Sequence, residues 1–138
     1  MSIADQNRNH GRQYPLVAIQ DFALADLTSG SAVAAVKLPG NARVIGGGVV
    51  ITEVFNSTTS DAIDVGDGDN DDRYSDTAVD GQALGYTPLD ITGYKYTTQD
   101  FIDLKWTSGG GSPSTGTGYL IVMYTVDDRA NEVVPDYD

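Results

Sequence analysis

The sequence predicts an all-β protein: a single-domain β-sandwich or jelly roll of about eight short antiparallel strands. Short segments rich in β-branched and aromatic residues recur along the chain, turn-forming residues separate them, and no segment is a convincing long helix. The 138 residues are enough for one domain with its own core. We divide the chain into an N-terminal arm (1–14), the β-domain (15–126) and an acidic C-terminal tail (127–138).

The domain begins with two predicted strands and a short connection. Residues 15–22 predict the first strand, with Val17 and Ile19 on one face. Residues 22–27 are typical of a helical turn. Residues 31–38 predict the second strand, although their alanines leave a helix possible.

The stretch 41–74 is the centre of the predicted domain. Apolar and β-branched residues run to Phe55, a polar turn follows, and alternation resumes over 61–66 before the acidic loop 67–72. We predict that these two strands belong to one sheet system and are joined by the turn. The run Gly46–Gly48 inside the first of them indicates a β-bulge.

The later part of the chain alternates between loops and strands. Residues 75–93 are typical of a loop, and residues 94–98 alternate aromatic and polar side chains. Residues 101–106 follow a period of two, which predicts that one face carries Ile102, Leu104 and Trp106.

The last predicted strand follows a low-complexity loop. Residues 107–118 are mostly Gly, Ser and Thr, and we expect them to project into solvent as a long hairpin tip. Residues 119–126 form the most strongly predicted strand of the chain.

The acidity of the chain limits its partners. The formal net charge is −12, the pI is near 4.1, and the acidic residues other than Glu53 and Glu132 are all aspartate. Aspartate favours turns over helices, so we expect the charge in loops and at strand ends. The eight cations are scattered, whereas nucleic-acid binding needs them clustered. We therefore predict no nucleic-acid or membrane partner.

The sequence also lacks several targeting and cross-linking features. There is no cysteine, which excludes a disulfide framework and thiolate metal sites. Residues 1–13 contain no apolar segment typical of a secretory signal, and no apolar run approaches the roughly 18 residues of a membrane span.

The acidic loop invites comparison with a calcium site. Its aspartates match the first positions of an EF-hand loop, but Asp72 stands where glycine is needed and Ala78 where a bidentate glutamate is needed. A calcium loop of another kind remains an alternative to the favoured interpretation, a solvated turn whose Asp and Asn side chains bond their own backbone. We predict no cofactor; the candidate metal ligands are Asp64, Asp67, Asp69 and Asp71.

Few residue patterns in the sequence fit a catalytic site. Glu53 and Asp103 are the least implausible carboxylate pair for glycoside hydrolysis, but nothing in the sequence fixes their separation. His10 is the only histidine and lies in the arm, and the run Gly109–Gly111 lacks the lysine and the context of a phosphate loop. We predict that the protein is not an enzyme.

Three aromatic residues could bind a sugar by stacking. Trp106, Tyr119 and Tyr124 would form such a platform if they lay together at the surface. The favoured alternative places them in the core or in a contact between subunits.

Two segments resemble the head decoration, or cement, proteins of tailed bacteriophages. They are GGGVVITEVFNSTTSDAIDVGDGDNDDRY (46–74) and YKYTTQDFIDLKWTSGGGSPSTGTGYLIVMYTV (94–126). The similarity is carried by FNSTTSDxxxVGD, by the step Asp72-Arg73-Tyr74, and by a Trp, a Gly/Ser loop and an apolar strand in succession. It spans about 41–126, and the cement proteins of short-tailed Bordetella phages are the nearest in kind.

The resemblance implies a non-enzymatic jelly roll made in the host cytoplasm. It further implies a dimer or trimer on the virion exterior, where it binds the shell of major capsid protein and stabilises it against the pressure of packaged DNA. An alternative role is a receptor- or carbohydrate-binding β-module of a phage tail or fibre. In the capsid role, the N-terminal arm and the C-terminal tail would bind neighbouring subunits. The candidate partner-binding residues are Arg8, Arg12, Tyr14, Val133 and Val134.

Overall fold

Eight strands and one short 3-10 turn form the structure of residues 13–127, the part of the chain that the computed structural model describes. The turn, Leu24–Asp26, follows the first strand directly. The strands are β1 (Leu16–Ala23), β2 (Ala32–Leu38), β3 (Ala42–Glu53), β4 (Asp61–Gly66), β5 (Val79–Asp80), β6 (Gly85–Pro88), β7 (Asp100–Ser108) and β8 (Thr117–Val126).

The strands form two four-stranded antiparallel sheets. The first sheet has the order β1-β8-β3-β6, and the second has the order β2-β7-β4-β5. The pairs β1–β8, β2–β7, β3–β6 and β4–β5 are nested, as in one long antiparallel ribbon that has been rolled up. Pairing of β3 with β8 and of β4 with β7 completes the sheets. This is jelly-roll topology, so the predicted fold class is confirmed.

The core lies between the sheets and is filled by alternate residues of their strands. The predicted inward face of β7 is confirmed, since Ile102, Leu104 and Trp106 are all buried. Val17 and Ile19 share a face as predicted, but it is the outer face of the first sheet, where both are exposed. The fully buried aliphatic side chains include Leu38, Val44, Val49, Ile63, Val65, Leu120 and Val122.

The prediction that β3 and β4 share one sheet is wrong. β3 belongs to the first sheet and β4 to the second, so residues 54–60 cross from one sheet to the other. A polar turn between two amphipathic strands fits a hairpin and a crossover equally well in sequence. The buried side chain of Phe55 sets the path here, because its ring packs at tilted angles between Phe22 and Trp106.

The prediction that residues 107–118 project as a hairpin tip is also wrong. β7 and β8 lie in different sheets, and the loop between them packs against residues 56–60. Gly109 N–H donates to Ser60 O (2.7 Å) and Thr58 N–H donates to Gly110 O (2.9 Å). The loop is therefore held by the neighbouring crossover, which satisfies its backbone groups.

The glycine run in β3 lies beside an irregularity, as predicted. The register between β3 and β8 shifts between Val44 and Gly46, which makes Ile45 the extra residue. At Gly47 the backbone has a φ of 123°, and an added Cβ would lie 2.0 Å from Ile121 O. Glycine is required there by both the conformation and the close approach of β8.

The remaining comparisons between prediction and structure concern segments with weak sequence patterns. Ser31 to Leu38 contains a strand rather than a helix, and the helical turn after β1 is present. The predicted loop 75–93 contains the short strands β5 and β6. Residues 94–98 form only an isolated bridge, Arg43 to Lys95, despite their alternation.

Candidate interaction surfaces and the acidic loop

Asp67 lies at the centre of a buried polar cluster that begins the acidic loop. Its side chain is buried and accepts hydrogen bonds from Arg73 Nε and from the Tyr96 hydroxyl at 2.6 Å. Its other oxygen accepts from the backbone N–H groups of Asp69 (3.1 Å) and Asn70 (2.9 Å). The second pair of bonds is the local turn that the sequence predicts, whereas the burial and the arginine were not predicted.

Aromatic side chains enclose this carboxylate. The Arg73 guanidinium lies 3.8 Å from the centre of the Tyr94 ring, and Tyr94 packs edge-on against Tyr96. Because the Tyr96 hydroxyl donates to Asp67, the Tyr74 hydroxyl, 2.7 Å away, donates to Tyr96. This network fixes the acidic loop to the sandwich.

The cluster keeps Asp67 ionised. Burial alone would raise the pKa of Asp67, but the hydrogen bonds from Arg73 and Tyr96 outweigh it and hold that pKa below its ordinary value. The pKa of Tyr96 is raised, first by burial and then by its hydrogen bond to Asp67. Asp67 is therefore a paired structural anion.

The other candidate metal ligands make separate contacts. Asp64 accepts from the Ser75 hydroxyl at 3.2 Å, and Asp71 pairs with Lys105 at 2.8 Å. Asp69 is exposed. Within residues 13–127, no three histidine or acidic side chains are arranged to hold a metal ion.

A second buried carboxylate, Asp61, was not singled out in the sequence. It accepts from the backbone N–H and hydroxyl of Ser57, from Trp106 Nε1 (2.8 Å) and from Gln82 Nε2 (2.8 Å). Burial opposes ionisation, but these bonds hold the pKa of Asp61 below its ordinary value. The cluster ties the crossover after β3 to β7, and only the tertiary structure brings its members together.

The structure does not assemble the other predicted sites. Glu53 lies in the first sheet, where its side chain accepts from Gly116 N–H, and Asp103 lies in the second sheet. The run Gly109–Gly111 belongs to the packed loop after β7. His10 lies outside the described residues.

The aromatic platform is also absent from the described surface. Trp106 is only 5% exposed and packs in the core with its ring centre 5.9 Å from that of Phe55. Tyr119 and Tyr124 belong to β8 in the other sheet. The core interpretation of Trp106 is confirmed.

Of the candidate partner-binding residues, only Tyr14 is described. It is exposed and precedes β1. The others, Arg8, Arg12, Val133 and Val134, lie outside the described residues.

A groove of about 280 Å³ opens between the edge strands β1 and β2. Phe22, Leu27 and Val33 line it, with Asp21 and Asp26 among its polar residues. Asp26 accepts from Ala23 N–H and so closes the turn after β1. The groove shows no converging catalytic groups.

The outer face of the first sheet is apolar. Alternation places its outward side chains opposite one another across four strands, and several are well exposed. We call this surface the apolar face; its members are Val17, Ile19, Ile45, Val50, Tyr86, Tyr119, Ile121 and Met123.

The outer face of the second sheet is charged. Lys37, Asp64, Asp103 and Lys105 project from its strands, and the acidic loop lies beside it. The pKa of Asp103 is raised by burial and then by nearby aspartates, and burial followed by like charges also contributes to the raised pKa of Asp64. Negative charge is therefore crowded on this side of the sandwich.

Comparison with known proteins gives a likeness in fold. No protein-family model matches the sequence, and no curated protein is similar to it at a significant level. No helix of the described residues is long and apolar enough to cross a membrane.

Chains of solved phage capsids have a similar fold. A chain of the cyanophage Pam1 capsid asymmetric unit matches with a TM-score of 0.63 and 17% identity, over 83% of this chain and 86% of that one. A chain of the acid-stable capsid of Helicobacter pylori bacteriophage KHP30 matches with a TM-score of 0.60 and 20% identity, over 85% and 90%. A chain of the Ralstonia phage GP4 capsid matches with a TM-score of 0.61 and 16% identity, over 85% and 86%.

Proposed function

We propose that this protein is a structural component of a tailed-phage virion. In this proposal it binds the outer surface of the icosahedral capsid and cements the shell of major capsid protein against the pressure of packaged DNA. The observation that carries the proposal is the jelly roll itself, since chains of three phage capsid structures share it over most of their length and most of this chain.

The described residues suit a scaffold. The oxygens of the two buried carboxylates, Asp61 and Asp67, accept hydrogen bonds from neighbouring side chains and backbone N–H groups. Such saturated groups hold loops in place and are poorly suited to general acid–base chemistry, which needs a group able to exchange its proton. The protein acts as a binding module in this proposal, and it has no catalytic step.

Multivalency lets modest contacts stabilise a shell. One small contact dissociates readily, but many copies on a closed lattice hold each joint between capsomers repeatedly. A net charge of −12 keeps the copies soluble, and the crowded acids on the second sheet suit a surface that faces water.

The test compares heads of the parent phage with and without this protein. Purified heads should carry hundreds of copies, and heads from a deletion mutant should release their DNA at a lower temperature. Adding back the full-length protein should restore the release temperature, whereas protein unfolded by a core substitution serves as the control. A few copies confined to the tail would contradict the proposal.

A further inference from the structure

The apolar face is an unpartnered apolar surface of the described residues. Ile19 is 64% exposed, Tyr86 57% and Val17 56%, although they lie on regular paired strands rather than in loops. Ile45 at 43% and Met123 at 36% continue the surface across β3 and β8. Contiguous exposed apolar side chains of this kind mark an interaction site.

The face is smooth at its centre. Gly46 and Gly48 carry no side chains there, and the Tyr86 ring covers Gly48 so closely that an added Cβ would lie 2.3 Å from Tyr86 Cε1. The Tyr86 hydroxyl donates to Gly47 O at 2.9 Å, which holds the ring against the strand. A second flat sheet can approach such a surface at the ordinary spacing of about 10 Å.

Charge is confined to the two ends of the face, and the signs differ. Asp21 and Glu53 lie toward one end. Arg43 and Lys95 lie at the other end, where they share one carboxylate, Asp127, leaving one positive charge in excess from two cations and one anion. The apolar residues between the ends carry no charge.

We infer that the apolar face packs against the same face of a second copy, related by a twofold axis that runs across the strands. That axis reverses the strand direction in the second copy, so that the positive end of each face lies over the negative end of the other. The contact is then isologous, and its complementarity follows from one sequence. It brings together two chains of charge −12 without setting their acidic sides against each other.

The second sheet does not offer the same contact. Two copies stacked through its outer face would oppose Asp64, Asp103 and the acidic loop to themselves, where burial and then like charges already raise the pKa of Asp103. Like charges brought together at an interface disfavour association. The first sheet is therefore the better surface for self-association.

The size of the apolar face sets the expected affinity of the dimer. Four strands about 4.8 Å apart, with a mean length of about eight residues at about 3.3 Å per residue, give on the order of 500 Å² per copy. Burying about 1,000 Å² in total is at the lower limit of specific interfaces, so we expect a dissociation constant in the micromolar range. The contact needs no shell, and its test is independent of the capsid role.

The experiment measures self-association of the full-length protein by sedimentation velocity from about 1 to about 500 µM, which brackets micromolar dissociation. The variant Ile19→Asp places a charge in the apolar face, midway along its edge strand β1, and Phe101→Asp makes the same kind of change at an exposed position of the second sheet. Circular dichroism and melting temperature report whether each variant is folded. Wild type and Phe101→Asp should form dimers, and Ile19→Asp should dimerise at least tenfold more weakly.

Charge reversal tests the direction of the axis. Arg43→Glu should weaken the dimer, because both ends of the face are then negative. The double variant Arg43→Glu with Glu53→Arg should regain part of the affinity, because the end that holds Asp21 then carries no net charge and no longer repels the other end. A double variant weaker than Arg43→Glu alone would exclude this axis.

Three results would overturn the inference. They are a wild type that stays monomeric throughout, equal weakening by Ile19→Asp and Phe101→Asp, and no effect of Ile19→Asp. If wild type were monomeric while Ile19→Asp failed to bind heads, the face would belong to the shell and not to a second copy.

Discussion

The substitution Asp67→Asn tests whether the buried carboxylate cluster fixes the acidic loop. The amide keeps the shape of the side chain and one acceptor oxygen, but it removes the negative charge opposite Arg73 and sets an NH₂ group among donors. Breaking a buried pair costs about 3–5 kcal/mol. We expect Asp67→Asn to lower the free energy of unfolding by about 3 kcal/mol, at the lower end of that range, because the Arg73 side chain is still 16% exposed.

The effect should depend on pH with a definite sign. The pKa of Asp67 is lowered in the folded protein, against about 3.9 for an unperturbed aspartate. The stabilisation is therefore complete above the unfolded value and is lost as the pH falls through the folded value. The cost of Asp67→Asn should be largest at neutral pH and should shrink below about pH 4, where the unfolded chain takes up a proton at Asp67 that the folded protein takes up only at lower pH.

Urea unfolding at several pH values measures this difference. With an m-value of about 2 kcal/mol/M, the midpoint at pH 7 should fall by roughly 1.5 M. Asp69→Asn is the matched control, since it makes the same charge change at an exposed position of the same loop and should alter the free energy of unfolding by less than about 0.5 kcal/mol. A loss for Asp67→Asn below that value, or an equal loss at pH 7 and pH 3, would refute the role given to the cluster.

Three further predictions concern the core, the backbone and metal binding. Leu104→Ala and Val122→Ala should each lower the free energy of unfolding by about 2–4 kcal/mol, because both side chains are buried between the sheets, and a loss under about 0.5 kcal/mol in thermal or urea unfolding would contradict that placement. Gly47→Ala should destabilise the protein by at least about 2 kcal/mol, because position 47 has a φ of 123° and the added Cβ would clash with Ile121 O. Gly46→Ala should be tolerated, because its Cβ would meet only the Met123 side chain at 3.5 Å. Equal melting temperatures for the two variants would argue against a required glycine at position 47. Removing divalent cations with EDTA should leave the melting temperature unchanged, and a fall that calcium reverses would restore the calcium interpretation of the acidic loop.

The sequence carried enough information for the longer strands but not for the short strands β5 and β6 or for the pairing of strands in the two sheets. The period of two over β7 identified the core face through Ile102 and Leu104, and the glycine run in β3 marked the irregular register. Such patterns are local and follow from the alternation of a strand. Crossovers are different, because a polar segment between strands does not encode whether the chain returns to the same sheet. That is why the connections after β3 and β7 were both predicted as turns within a sheet.

The polar clusters were hidden for a similar reason. Asp67 looked like one of several loop aspartates, and its burial depends on Arg73 at the end of the same loop and on Tyr94 and Tyr96 from a later segment. Asp61 likewise depends on Trp106, which is 45 residues away in the chain. The apolar face is also a tertiary feature, since it forms only when β1, β8, β3 and β6 are neighbours.

A cryo-EM reconstruction of heads from the parent phage tests the capsid role most directly. We predict density for the jelly roll on the outside of the shell, repeated over the lattice, with the acidic second sheet turned toward solvent. Outer shell density that leaves no room for this domain, or domain density found only in the tail, would contradict the account.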